Sequence, residues 1–298
     1  MSMLARLFSS SRDVVGINRR NVELVYAHNP RASYRFADDK LLTKKVLQAA
    51  GVPVPETLVV CEGLHDIAVG LERLRTLEQF VIKPASSSGG QGIVVVAESI
   101  GDGRWRKPSG VEIDLDALRQ HLASIVFGAF GDDLGDCAFV EPRVVSHPLL
   151  HALWSEALSD IRVITLDAQP LMAMLRVPTK RSDGRANLHQ GALGLALDLE
   201  SGAVFRAVYQ GESIERHPDS GQLLIGLTLP NWSDILDVAR RAARAIPLGY
   251  LGVDLVLDDQ DRAFVLEVNA RPGLEIQNVN GRGLGHALAA FEAKESSR

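Results

Sequence analysis

Cysteine is scarce in this chain, aromatic residues make up 5% of it, and positive charge is not in excess. The two cysteines, Cys61 and Cys137, lie far apart without CxxC or Cys/His spacing. That excludes a zinc site built on a local motif and a disulfide framework, and leaves both as small apolar residues. With 32 Lys+Arg against 37 Asp+Glu the formal charge is −5, so no broad basic field exists to draw in nucleic acid, and any cationic site must be local. No apolar run approaches the ~18 residues of a membrane span. The opening MSMLARLFSSSR has neither the apolar stretch nor the small-residue cleavage pattern of a secretion signal. A cytoplasmic protein with no nucleic-acid or membrane partner is the expectation. Two common nucleotide signatures are also missing: there is no GxxxxGKS or GxxxxGKT run, and no GxGxxG opening a helix.

What is present is a globular composition. At 298 residues, 46% hydrophobic and 23% charged, the chain has room for two or three core-bearing units. Residues 1–37 show little apolar periodicity and read as an extension. A helix capped by Asp38 or Asp39 follows, with Leu41, Leu42, Val46 and Leu47 as its stripe and Gly51 and Pro53 as its stop. A strand at 57–60, a helix through Leu64, Ile67, Leu71 and Leu74, and a strand at 80–82 come next, then a helix from Asp114 and a strand at 138–141. Beyond Pro142 the texture shifts to strands at 161–166, 170–177, 193–199 and 203–209, a helix over 234–246 and a final hairpin over 252–268. The pattern predicts an α+β chain of an extension (1–37), a first subdomain (38–140) and a second (141–298).

In the hairpin GVDLVLDDQDRAFVLEVNARPG, a turn centred between Gln260 and Asp261 makes paired numbers sum to 521. Asp254 then faces Glu267, with Asn269 on the same face. Like charges facing each other destabilise a sheet, and a divalent cation held by Asp254, Glu267 and Asn269 would compensate them. The competing reading is a solvated acidic face. Val256 and Val265 on the same face, with apolar residues on the other, weigh against it.

In FVIKPASSSGGQGIVVV, two β-branched runs flank a loop longer than a tight hairpin needs. Its Ser87, Ser88, Gly89, Gly90 and Gly92 offer donors that can approach an anion closely, and Lys83 sits at the strand end. A mobile surface loop beside a snorkelling lysine fits the stretch equally well. Arg162 and Arg176 stand inside apolar strands, where an unpaired charge is costly, so each needs an anion. Asn187, His189 and Gln190 lie on the loop after Arg176. His189 has no evident carboxylate partner to make it a general base. Arg271 in NARPGLE either clamps a carboxylate or caps a surface turn.

Taken together and in order, DDKLLTKKVLQAAGVPVPET, FVIKPASSSGGQGIVVV, FVEP, DIRV, RANLHQGA, GVDLVL and LEVNARPGLE resemble the ATP-grasp superfamily, most closely its RimK-type α-L-glutamate ligases, over roughly 38–290. The resemblance implies the ATP-grasp fold, two α+β subdomains with ATP between them, and an N-terminal pre-grasp domain largely missing. It implies that Lys40 and Lys83 contact ATP phosphates under the Ser/Gly loop, and that Glu141, Pro142, Arg143 and Val144 hold the adenine edge. Pro142 departs from the VQEY-like run of relatives and removes one backbone donor. It further implies that Asp254, Glu267 and Asn269 bind Mg²⁺, two ions in all with Mn²⁺ as an alternative. Arg162, Arg176 and Asn187 would stabilise the transferred phosphoryl, with Arg271 beside them. The expected activity is an ATP- and Mg²⁺-dependent carboxylate–amine ligase acting through an acyl-phosphate, with glutamate or another amino acid joined to an amino acid, peptide or protein. A phosphotransferase on the same scaffold and a non-catalytic nucleotide-binding regulator are the alternatives. Self-association into a homo-oligomer is the further partner expectation.

Overall fold

The computed structural model describes residues 13–87, 89–131, 135–155 and 157–295. The chain forms two compact units. The smaller comprises residues 38–45 and 54–145, and the larger comprises 13–37, 46–53 and 146–295. The change of unit falls at 145/146, five residues beyond the boundary expected at 140/141, and again within the first long helix, α1 (Lys40–Ala49).

The smaller unit carries strands β1 (Val59–Cys61), β2 (Phe80–Pro84) and β3 (Val94–Val96), a hairpin group β4 (Glu98–Gly101), β5 (Arg104–Arg106) and β6 (Glu112–Asp114), and β7 (Ala138–Glu141). Helices α2 (Leu64–Leu74) and α3 (Leu115–Val126) lie between them. Strands β1, β7, β2 and β3 form an antiparallel sheet in that order. Ile67, Leu71 and Leu74 of α2 and Leu118, Leu122 and Ile125 of α3 recur at helical spacing and meet Phe80 and Ile82 of the sheet in one buried cluster. Asp114 caps α3 by accepting from the Ala117 N–H at 2.8 Å, and Asp39 accepts from Leu42 N–H at 3.0 Å in the first turn of α1. The three-stranded β4-β5-β6 sheet closes the cluster with Trp105, whose ring meets Phe80 edge-on and whose indole N–H donates to Leu77 O at 3.0 Å.

The larger unit is built on seven antiparallel strands in the order β12-β11-β10-β9-β8-β13-β14. They are β8 (Asp160–Leu166), β9 (Gln169–Val177), β10 (Leu193–Leu197), β11 (Val204–Tyr209), β12 (Glu212–Ile214), β13 (Tyr250–Leu257) and β14 (Ala263–Asn269). Its helices are α4 (Pro148–Leu153), α5 (Trp232–Ala245), α6 (Glu275–Asn280) and α7 (Leu284–Glu295). Strand β13 is buried along its whole length, as its unbroken apolar run requires of a central strand. Helix α5 packs on β13 and β14 through a face that includes Ile235, Ala239 and Ala242.

The β13–β14 register bears directly on the site. Asp254 faces Glu267 and Gly252 faces Asn269, so the sum of 521 holds there. Toward the turn the sum is 520, with Leu255 facing Val265 and Leu257 facing Ala263. A bulge absorbs the difference and leaves Leu266 as the extra residue. Val265 therefore faces Leu255, not Val256, which corrects the shared face expected from uniform pairing. Burial along β14 records the same change of phase: Ala263 and Val265 are buried before the bulge, Val268 after it. The bulge turns Glu267 and Asn269 out of the core and leaves them half-buried on one face.

Residues 13–37 group with the larger unit instead of standing apart as an extension. They run as a helical segment over 17–28, widened to a π-helical turn at Arg20–Val25, with Leu24 and Val25 buried.

Candidate active site

Each unit buries a small ionic cluster. In the smaller unit, Lys83 and Glu141 stand on neighbouring strands, diagonal across the β2–β7 ladder, because Lys83 faces Phe139 and Val81 faces Glu141. The Glu141 carboxylate takes Lys83 Nζ on one oxygen and Lys44 Nζ on the other. The side chains of Lys44 and Glu141 are 5% and 4% exposed, so two ammonium groups share one carboxylate out of water. Burial pulls the Lys44 ammonium below its ordinary value, and the attraction of Glu141 opposes that pull. Lys44 was not foreseen as a site residue. Its position four residues after Lys40, on the same helix face, was the available signal.

The Ser/Gly loop joins β2 to β3. Ser87 is buried, donates its hydroxyl to Gln91 O at 3.0 Å and offers its carbonyl to Lys40 Nζ. Gly89, Gly90 and Gly92 all have positive φ, of 64°, 78° and 71°. At Gly92 the need for glycine is also steric, since a Cβ would come within 2.7 Å of the Phe130 ring. His121 holds the Gly92 carbonyl at 2.8 Å. Ser88 lies outside the described residues. After β7 the chain passes through Pro142, Arg143 and Val144 without regular structure. Arg143 makes no hydrogen bond or ion pair among the described residues, and burial lowers its pKa.

In the larger unit, direct cross-strand partners place a charged row on one sheet face. Glu267, Asp254 and Arg162 are successive partners across β14, β13 and β8, and Asp160 and Arg176 pair one step along. Arg162 grips Asp254 through Nε at 2.7 Å and Nη2 at 2.6 Å. Arg176 grips Asp160 at 2.5 and 2.7 Å and reaches Asp254 Oδ2 at 2.9 Å. The two arginines thus find their anions inside the unit, and Asp160, missed in the sequence, is one of them. Burial disfavours an ionised Asp254, but the guanidiniums of Arg162 and Arg176 outweigh it and hold its carboxyl well below the ordinary range. Burial, seconded by the neighbouring Asp254, pushes Asp160 up to about 6 against the pull of Arg176.

Asn269 turns its amide N–H groups to Asp254 Oδ2 at 3.1 Å and Glu267 Oε1 at 3.4 Å. Asp254 Oδ2 accepts from Arg162, Arg176 and Asn269, and Oδ1 accepts from Arg162 Nε. A half-turn of the Asn269 amide presents its oxygen in place of nitrogen. Two carboxylates and an amide oxygen form the hard, partial donor set that suits Mg²⁺ shared with phosphates. The residues therefore fit the ion.

The remaining candidates make contacts of their own. Asn187 caps its own turn, accepting from His189 N–H at 3.0 Å, and His189 is exposed. Arg271 is exposed, its guanidinium 4.4 Å from the centre of the Tyr34 ring. The sheet face continues past Arg176 to Gly194 and Val208, and past Arg162 through Met174 and Ala196 to Arg206. There a cleft of about 950 Å³ opens, lined among others by Arg206, Val208, Leu188, Glu275, Asn278 and Arg282. Gly194 makes room for its wall, because a Cβ there would come within 2.4 Å of Val279 on α6.

In sequence and fold the chain is similar to known proteins. The chain is 24% identical to a probable alpha-L-glutamate ligase of Mannheimia succiniciproducens over 269 residues, covering 90% of this chain and 67% of that protein. It is 23% identical to the cyanophycin synthetase of Crocosphaera subtropica, covering 92% of this chain but only 32% of the relative. The fold matches the D-alanine–D-alanine ligase of Bacillus anthracis complexed with ATP at a TM-score of 0.51 and 14% identity, covering 89% of this chain and 70% of the other. Residues 19–293 match the family described as sugar-transfer associated ATP-grasp, and the chain belongs to that ATP-grasp family.

Proposed function

We propose that the protein is an ATP- and Mg²⁺-dependent carboxylate–amine ligase. The observation that carries this reading is the single sheet face on which Glu267, Asp254, Arg162 and Arg176 lead into a cleft of about 950 Å³, a volume suited to an amino acid or short peptide. An oxygen of the substrate carboxylate attacks the γ-phosphorus of ATP, and ADP leaves. The amine nitrogen of the second substrate then attacks the acyl carbon, phosphate leaves with the C–O bonding pair, and the ammonium proton passes to water. The protein contributes positioning and charge neutralisation.

Lys40 and Lys83 take the phosphates beneath Ser87, Gly89, Gly90 and Gly92, and residues 141–144 take the adenine edge. Asp254, Glu267 and Asn269 hold Mg²⁺, two ions in all. When bound, Mg²⁺ offsets phosphate charge and aligns the β- and γ-phosphates. Arg162 and Arg176 serve the site by keeping Asp254 ionised and by facing the developing phosphoryl charge, with Asn187 and Arg271 at its margin. The first substrates to test are glutamate and glutamate-containing peptides, because the similar Mannheimia protein is described as a probable alpha-L-glutamate ligase. Both cysteines are free thiols, in keeping with a cytoplasmic setting, and among the described residues no helix is long and apolar enough to cross a membrane.

The test is to incubate the full chain with Mg-ATP and pooled amino acids and peptides and analyse the products by mass spectrometry. ADP with a new amide is the expected result. ADP with a phosphorylated product means a phosphotransferase, and nucleotide binding without product means a regulator; either overturns the ligase reading.

A further inference from the structure

Strand β14 ends at Asn269 and the turn after it carries Arg271, yet that turn depends on a distant part of the chain. Asn29, buried among the described residues, donates from Nδ2 to Tyr250 O at 2.8 Å and to Ala270 O at 2.9 Å, while its Oδ1 accepts from Tyr250 N–H at 2.8 Å. One amide thereby ties the start of β13 to the residue between Asn269 and Arg271. Arg20 donates to the carbonyls of Arg271 at 3.3 Å and Pro272 at 3.1 Å. Further along, Gln277 exchanges hydrogen bonds with the backbone of Val15, 2.9 Å in each direction. Gly283 lets the same segment pass, since a Cβ there would fall 1.8 Å from Asp13 O. Tyr34, 9% exposed, lies under the Arg271 guanidinium. Arg271 makes no ion pair among the described residues, so its edge stays free for an anion while its face rests on the ring.

We propose that residues 13–37 form a strap that fixes the 269–273 turn, with Asn29 positioning Asn269 and Tyr34 positioning Arg271 for the anionic group of the substrate. Each contact addresses a carbonyl, an amide or a ring face, and none consumes the donor edge of Arg271. A flexible arginine on a turn loses rotational freedom on binding an anion, and a ring beneath it removes part of that loss in advance. The Asn29 amide acts similarly on the backbone, because its three hydrogen bonds fix Ala270 relative to β13, the strand that carries Asp254.

This inference rests on the ligase reading, and the test separates the two. Hydrogen exchange of the 269–277 segment, followed by mass spectrometry in the full chain, reads the strap without any turnover. Asn29→Ala and Tyr34→Ala should speed exchange there, while Tyr34→Phe should not. ADP release in the substrate pools reads positioning. Tyr34→Ala should lower kcat about tenfold or more with KM for ATP unchanged, and Tyr34→Phe should keep wild-type turnover. Tyr34→Ala combined with Arg271→Ala should be no slower than Arg271→Ala alone, because the ring acts through that arginine. Unchanged exchange in both alanine variants overturns the strap, and additive losses in the double variant overturn the positioning role of Tyr34. A wild-type protein with no turnover in any pool overturns the ligase reading and the positioning role with it, leaving the exchange data to decide the strap.

Discussion

The smaller unit buries two ammonium groups around one carboxylate, whereas the larger buries two guanidiniums among Asp160, Asp254 and Glu267. The first arrangement is left with surplus positive charge and the second with surplus negative charge. By charge balance alone, the first cluster suits anionic oxygens and the second suits a cation. The cations also differ in kind. Lysine can shed its proton when burial is costly, but arginine cannot, so the cations of the larger cluster stay charged while those of the smaller can be tuned.

The sharpest way to break this comparison is to remove a carboxylate on which the proposed cation site depends. Glu267→Gln should reduce ADP release about a thousandfold, measured by coupled assay with the pool that gives product. Asp254→Asn should act first on stability. It leaves Arg162 and Arg176 without their shared partner in a site where neither can neutralise, which costs about 3–5 kcal/mol, read from the midpoint of urea unfolding.

Glu141→Gln tests the contrast in cation chemistry and should cost less, about 1–3 kcal/mol, because Lys44 can lose its proton. A lysine whose folded pKa lies below its unfolded value binds fewer protons when folded. The loss in Glu141→Gln should therefore shrink as pH rises toward 10, whereas that in Asp254→Asn should not. The smallest effect concerns Asp160. Its carboxyl is raised above the ordinary value of 3.8, to about 6, so the folded state holds the proton more tightly than the unfolded chain. Its contribution to stability is full below pH 4 and is lost as pH rises through 6. Carboxyl NMR in the full chain should find this titration, and it should be missing in Asp160→Asn.

Much of this was legible in the sequence, for physical reasons that can be named. Asp254 does face Glu267, but the sum of 521 holds there because the extra residue of the bulge offsets a turn that pairs at 520. The bulge was not foreseen, since it follows from fitting a turn centred near Gln260 to that pairing, and no single residue announces it. The β4–β5 hairpin was missed despite its signal: Asp102 and Gly103 both take positive φ, as a tight two-residue turn demands. The strap was hidden more deeply. Asn29 and Tyr34 act on partners more than 200 positions away, and nothing in a segment of sparse apolar residues reveals a tertiary partner. Asp160 was passed over as the first residue of DIRV, when an arginine buried in the next strand required a carboxylate opposite it.

The claim that most needs measurement is that the larger unit's surplus negative charge holds a divalent cation. Electron paramagnetic resonance of Mn²⁺ bound with a non-hydrolysable ATP analogue tests it directly. The account predicts a bound Mn²⁺ signal in the wild-type chain that is strongly weakened by Glu267→Gln, and Mn²⁺ binding of equal strength in both proteins would contradict it.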